Sequence, residues 1–256
     1  MRQHHIPRSV LSHFADAEGN IWMQRRGSSP IPTKVENIAV KNDQYKTLHD
    51  KRPECYEELL TGLENWLKPA LEDVISKELL PSEAERQKEL RLFTSLQYAR
   101  SPATRKFMSS VVLPHIAKES PMNMEVRVQM KLDPEYDLPM FIDLYQTVFK
   151  GLEQLPLFLI RSEDEGFVCP DDPVFLQSDS QGKIMLGLFP ISSRLLLQFG
   201  GSARNPTCEP ISANLEAILK WNQDSIYDSV DVYGRSKEVV GVAATGWLIR
   251  QQIGDL

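Results

Sequence analysis

Residues 157–199, LFLIRSEDEGFVCPDDPVFLQSDSQGKIMLGLFPISSRLLLQF, alternate short apolar runs with turn-forming clusters. The runs Leu157-Phe158-Leu159-Ile160, Phe167-Val168, Val174-Phe175-Leu176, 184–189 and 195–199 are separated by Asp164-Glu165-Gly166, Cys169-Pro170-Asp171-Asp172-Pro173, Ser180-Gln181-Gly182 and Pro190-Ile191-Ser192-Ser193. Runs too short for a helix and bounded by Gly, Pro and Asp predict strands of an antiparallel sheet. The stretch before them has a different period. Tyr56, Leu59, Leu60, Leu63, Trp66, Leu67, Ala70, Leu71 and Val74 keep the i, i+3, i+4, i+7 spacing of an amphipathic helix. This change of period predicts an α+β fold, with a largely helical middle, 53–152, packed on a mostly antiparallel sheet built from N-terminal and C-terminal strands. Neither a repeat nor a low-complexity linker divides the chain, so 1–256 reads as a single domain.

Local signals fill in this frame. Pro7 suits the start of a short helix with Val10, Leu11 and Phe14 on one side. Gly19-Asn20 turns into a strand at 21–25, closed by Gly27-Ser28-Ser29-Pro30, and 35–40 reads as a second strand. The long helix is expected to stop at Leu80-Pro81. Ser82-Glu83-Ala84-Glu85 has the pattern of a capping box opening the next helix. Pro102 should break that helix, with further helical turns to about residue 116. Helices are also expected at 136–152 and 212–228, the latter with Leu215, Ile218, Leu219, Trp221 and Ile226 as its apolar side.

Composition removes several classes. With 256 residues, 29 Lys+Arg against 35 Asp+Glu and 41 % hydrophobic residues, the chain is neither disordered nor fibrous and is long enough to bury a substantial core. Cys55, Cys169 and Cys208 form no CxxC pair, which argues against a disulfide framework or a cysteine zinc site and suits a reducing, cytoplasmic setting. The N-terminus has no apolar run of signal-peptide length, and no stretch approaches the ~18 apolar residues of a membrane span. Signatures of P-loop NTPases, kinases, nicotinamide dehydrogenases, zincins, α/β-hydrolases and EF-hands are absent.

Four polar clusters remain. His4-His5 brings imidazole, able to act as general base, acid or metal ligand near neutral pH, or to be an exposed terminal pair. Glu57 and Glu64 stand two helical turns apart, about 10 Å in rise, and read either as a solvated face or as a base or metal ligand. Gln97, Arg100 and Arg105 surround Ser101-Pro102, where guanidinium groups can grip phosphate or carboxylate or form structural ion pairs. Asp171 and Asp172 lie in a Pro-flanked loop that either caps its own turn or projects a carboxylate into a cleft.

In order along the chain, His4-His5-Ile6-Pro7, Glu57-x-x-Leu60-x-x-x-Glu64, Leu96-Gln97-Tyr98-Ala99-Arg100-Ser101-Pro102 with Arg105, Asp172-Pro173-Val174, Phe189-Pro190-Ile191-Ser192, Asn222 and Val232-Tyr233-Gly234 resemble the family called domain of unknown function 4238. The loop departs from the family's Thr-Ser-Asp-Asn-Pro, so either Asp171 or Asp172 is the equivalent carboxylate. The resemblance implies no reaction of its own. It implies that His5, Glu57 or Glu64, Gln97, Arg100 and Asp171 or Asp172 belong together. Such a set suits a phosphoester hydrolase or nuclease: carboxylates to hold Mg²⁺ or Mn²⁺, His to move a proton, Gln97, Arg100 and Arg105 to hold the substrate. The expected partner is then nucleic acid or a phosphorylated small molecule. The alternative is a binding or regulatory module in which the same polar residues form a buried structural network.

Overall fold

A computed structural model describes residues 2–42, 54–107, 137–202, 204–226 and 229–247. In chain order its elements are β1 (Arg2–His4), α1 (Arg8–Ser12), β2 (Asn20–Arg25), β3 (Ile31–Lys34), β4 (Val40–Asn42), α2 (Glu54–Lys77), α3 (Ala84–Arg100), α4 (Pro102–Phe107) and α5 (Asp137–Glu153). The second half adds β5 (Leu157–Ser162), β6 (Cys169–Pro170), β7 (Phe175–Ser178), β8 (Ile184–Pro190), β9 (Leu195–Gly200), β10 (Ile211–Ala213), α6 (Leu215–Ser225), β11 (Asp231–Gly234) and α7 (Lys237–Ala243). The fold is α+β.

The strands form three sheets among the described residues. The largest, ordered β10-β5-β9-β8-β7, comes wholly from the C-terminal half and is antiparallel except where β10 runs parallel to β5. Leu157 to Ile160 are buried one after another, and so is every residue of β9, so both faces of these central strands are covered. Helix α3 packs against α2 and α5, and Phe93 of α3 stacks on Phe189 of β8 with ring centroids 6.2 Å apart. The expected meeting of N-terminal and C-terminal strands occurs in a second sheet, ordered β3-β2-β11-β6. There β11 sits between β2 and β6, with Met23 opposite Tyr233 and Tyr233 opposite Cys169. A two-stranded sheet pairs β1 with β4, His4 opposite Val40.

Several local expectations shift. Residues 35–40 are not a strand: Val35 and Ile38, three apart, are both buried, which a 3₁₀ turn over Val35–Asn37 achieves and an alternating strand does not. Helix α2 ends at Lys77, before Leu80-Pro81, because Glu78 takes a left-handed φ of 50° and Leu80 N–H turns to the carbonyl of Cys208 at 2.9 Å. Ser82 does not cap α3; Glu83 occupies that position without a side-chain hydrogen bond. Phe167 and Val168 are buried but unladdered, held by Ser193 and by Asn222, whose side chain bonds the Val168 amide and the Gly166 carbonyl. The helix expected at 212–228 is shorter, starting after Asn214, whose side chain accepts the Ala217 amide at 2.8 Å. The turns expected up to residue 116 lie outside the described residues beyond Phe107. Among those described, no helix is long and apolar enough to cross a membrane.

Candidate active site

From Glu89 to its end, helix α3 is buried on nearly every side, so the polar residues there need partners within the protein. Thr94 and Ser95 bond back to the carbonyls of Leu90 and Arg91 at 2.8 Å each. Arg100, at the last turn, is only 2 % exposed. Its guanidinium pairs with Glu64 of α2 and donates to the main-chain carbonyl of His4. Gln97, one turn back and fully buried, reaches the same Glu64 carboxylate at 3.5 Å. Glu64, Gln97 and Arg100 therefore form a closed network that ties α2, α3 and β1 together.

This network holds the residue before His5. From the other side, the His5 amide donates to the carbonyl of Ala39 at 3.0 Å. Ala39 adopts φ 51° and its own amide is hydrogen-bonded to the Tyr233 hydroxyl, so the 37–40 bend is fastened to β11. His5 is buried yet lines a cleft of about 560 Å³, within the range of ligand-binding hollows.

Across that cleft lies the loop after β6. The Asp171 amide donates to the Asp231 carbonyl at 2.9 Å, and its carboxylate accepts the Val230 amide at 3.1 Å. Asp172 accepts the Ala103 amide of α4 at 2.9 Å. Pro102 starts α4 where its missing N–H costs nothing, which turns the chain sharply and presents Ala103 to the loop. Burial first, then the neighbouring Asp172 charge, pushes the Asp171 carboxyl up to about 7, while the Val230 amide and the Ser229 hydroxyl pull it down. A carboxyl poised there exchanges a proton near neutral pH. Tyr233, also on the wall, is pushed far up by burial and by the Asp231 and Asp171 charges, so it stays a neutral phenol.

The rim carries charge as well. Asp231 binds Arg25 through both oxygens, at 2.8 and 2.9 Å, as the β2–β11 register dictates. Lys106 of α4 is exposed at the edge.

His5 and the adjacent pair Asp171-Asp172, 166 residues further along the chain, thus line one cleft. Glu64, Gln97 and Arg100 come together too, but in the closed network rather than on the cleft wall. Glu57 lies on α2 and Arg105 on α4, with both side chains outside the described residues. Arg25, Lys106, Asp231 and Tyr233 join the cleft without having been singled out as site residues. Strand pairing places three of them, and of these Tyr233 also falls in a stretch that carries the family resemblance. Among the described residues, no three His, Cys, Asp or Glu side chains gather to hold a metal ion. Asp171 and Asp172 each face a backbone amide and Asp231 faces Arg25, so this donor set does not fit Mg²⁺ or Mn²⁺, which need convergent oxygen ligands.

A family model described as protein of unknown function (DUF4238) matches residues 2–209. The chain belongs to that family. The matched stretch carries His5, Asp171 and Asp172, whereas β11 lies beyond it. No curated protein and no solved structure matches the chain.

Proposed function

We propose that this member of the DUF4238 family is a phosphoester hydrolase working by general acid–base catalysis, with His5 and Asp171 as the reacting pair. The observation that carries the reading is the shared cleft: the His5 imidazole, from the N-terminal segment, and the Asp171 carboxyl, pushed up to about 7 and from the C-terminal half, line one hollow. His5 takes a proton from water as the water oxygen attacks phosphorus. The bond to the leaving oxygen breaks, and the protonated Asp171 carboxyl gives that oxygen its proton. Asp172 holds α4 against the loop, and Lys106 sets positive charge at the rim for the phosphate. Nucleic acids and phosphorylated small molecules both present this bond.

The closed Glu64–Gln97–Arg100 network favours the second reading, a binding or regulatory module, for that half of the polar residues. Hydrolysis separates the two. Purified wild type and His5→Ala are assayed on single- and double-stranded DNA, RNA and phosphomonoesters with EDTA, Mg²⁺ or Mn²⁺. Cleavage that persists in EDTA and falls by about 10²-fold or more in His5→Ala is expected. Folded wild type that cleaves none of these substrates would establish the binding reading instead.

A further inference from the structure

The His5 cleft does not end at α4. Ala103, Lys106 and Asp172 also line a second hollow of about 570 Å³, so the two share a wall. The second hollow differs in chemistry. Three aromatic rings, Tyr98, Phe107 and Phe175, border it, and Phe107 is 55 % exposed. Between the rings stand the hydroxyls of Ser101 and Thr104, hydrogen-bonded to each other at 2.9 Å.

These features select among possible occupants. An acyl chain would meet the hydroxyls and the Asp172 and Asp224 carboxylates along its length. A bare sugar would leave the exposed Phe107 ring without an apolar partner. A nucleobase suits both, because its faces stack on aromatic rings and its edge carries hydrogen-bonding groups. The charge pattern limits its size. A nucleic-acid strand is held by a basic track along its phosphates, but this chain has a formal charge of −6, and Lys106 and Arg25 are the cations lining the two hollows among the described residues.

We infer that the substrate is a free nucleotide, its base in the Tyr98–Phe107–Phe175 hollow and its phosphate beside Lys106 in the His5–Asp171 cleft. The inference rests on the proposed phosphoester chemistry for the group held at His5; the base hollow stands on its own lining.

Isothermal titration of the full chain tests it, with adenosine 5′-monophosphate, ribose 5-phosphate and a single-stranded oligonucleotide as probes. Wild type should bind the mononucleotide at least about tenfold tighter than ribose 5-phosphate, the effect of roughly one base stack. Phe107→Ala, at an exposed position and with its folding checked by circular dichroism, should narrow that preference to about threefold or less and leave ribose 5-phosphate binding within about twofold. Equal binding of the two small probes by wild type would overturn the inference. So would an oligonucleotide bound more than about tenfold tighter than the mononucleotide, which would make the surface a strand-binding one. A mononucleotide preference without hydrolysis of any phosphoester would remove the catalytic reading and keep the base hollow. Hydrolysis of glycerol phosphate and of the mononucleotide at equal kcat/KM would do the reverse.

Discussion

Arg100 and Ala103 are three residues apart, yet they serve opposite surroundings. Arg100, itself buried, turns inward to the half-buried Glu64 and the His4 carbonyl, whereas Ala103 and the Asp172 it binds stand on an open hollow. The same residue types, a carboxylate and its donors, make a brace in one place and a wall of a cleft in the other. What separates them is how far each is open to solvent. A matched, closed network stabilises a fold without offering anything to a ligand. A carboxyl left half-protonated beside a hollow costs stability and suits proton transfer.

The sharpest way to break this comparison is to remove the brace. Arg100→Leu leaves Glu64 without its buried cation and should lower stability by about 3–5 kcal/mol in urea denaturation. Adding Glu64→Leu should restore much of the loss, because replacing both partners removes the unpaired charge. A loss below about 1 kcal/mol for Arg100→Leu would mean that the network is not structural.

The next effect depends on pH. The folded Asp171 carboxyl titrates near 7, above its ordinary 3.8, so between these values the folded state binds the extra proton. Its protonation favours folding at low pH, and that contribution is lost as pH rises through about 7. Three pH units at about 1.4 kcal/mol each bound the effect at about 4 kcal/mol. Asp171→Asn should therefore gain stability relative to wild type at pH 8 and little at pH 4, while its hydrolysis rate, low for want of the proton donor, should lack the fall above pH 7 expected of wild type. An equal stability difference at both pH values would contradict the poised carboxyl.

Asp172 gives the smallest change. Asp172→Ala removes the acceptor of the Ala103 amide and should cost about 1–2 kcal/mol, whereas Asp172→Asn keeps an acceptor and should cost under about 1 kcal/mol. Equal losses in the two variants would assign its role to charge rather than to fastening α4.

Much of this arrangement can be read in the residues. The 3.6-residue spacing from Tyr56 to Val74 marks α2, and the apolar runs at 157–160, 184–189 and 195–199 mark the strands that form the middle of the largest sheet. Elements made by pairing alone are harder to read: β1 and β4 are three residues each, and β11 begins with Asp231 and ends with Gly234, without alternation. Ser82 shows the limit of a local motif, since a Ser and a Glu at capping distance do not fix where the helix starts. Within the site, His5 stands out by type, and Asp171 and Asp172 by type and by position next to Pro. Arg100 stands out equally, but its spacing cannot tell a buried brace from a substrate clamp; that depends on α3 being enclosed. Tyr233 and Arg25 reach the cleft only through the register of β11 with β2 and β6.

The most direct test is to measure turnover and stability on one variant, His5→Gln, which keeps a polar side chain at the cleft and leaves the Arg100 brace in place. The account predicts a hydrolysis rate at least about 10²-fold below wild type, with stability changed by less than about 2 kcal/mol. A rate within about threefold of wild type, or a rate lost only in proportion to unfolded protein, would contradict it.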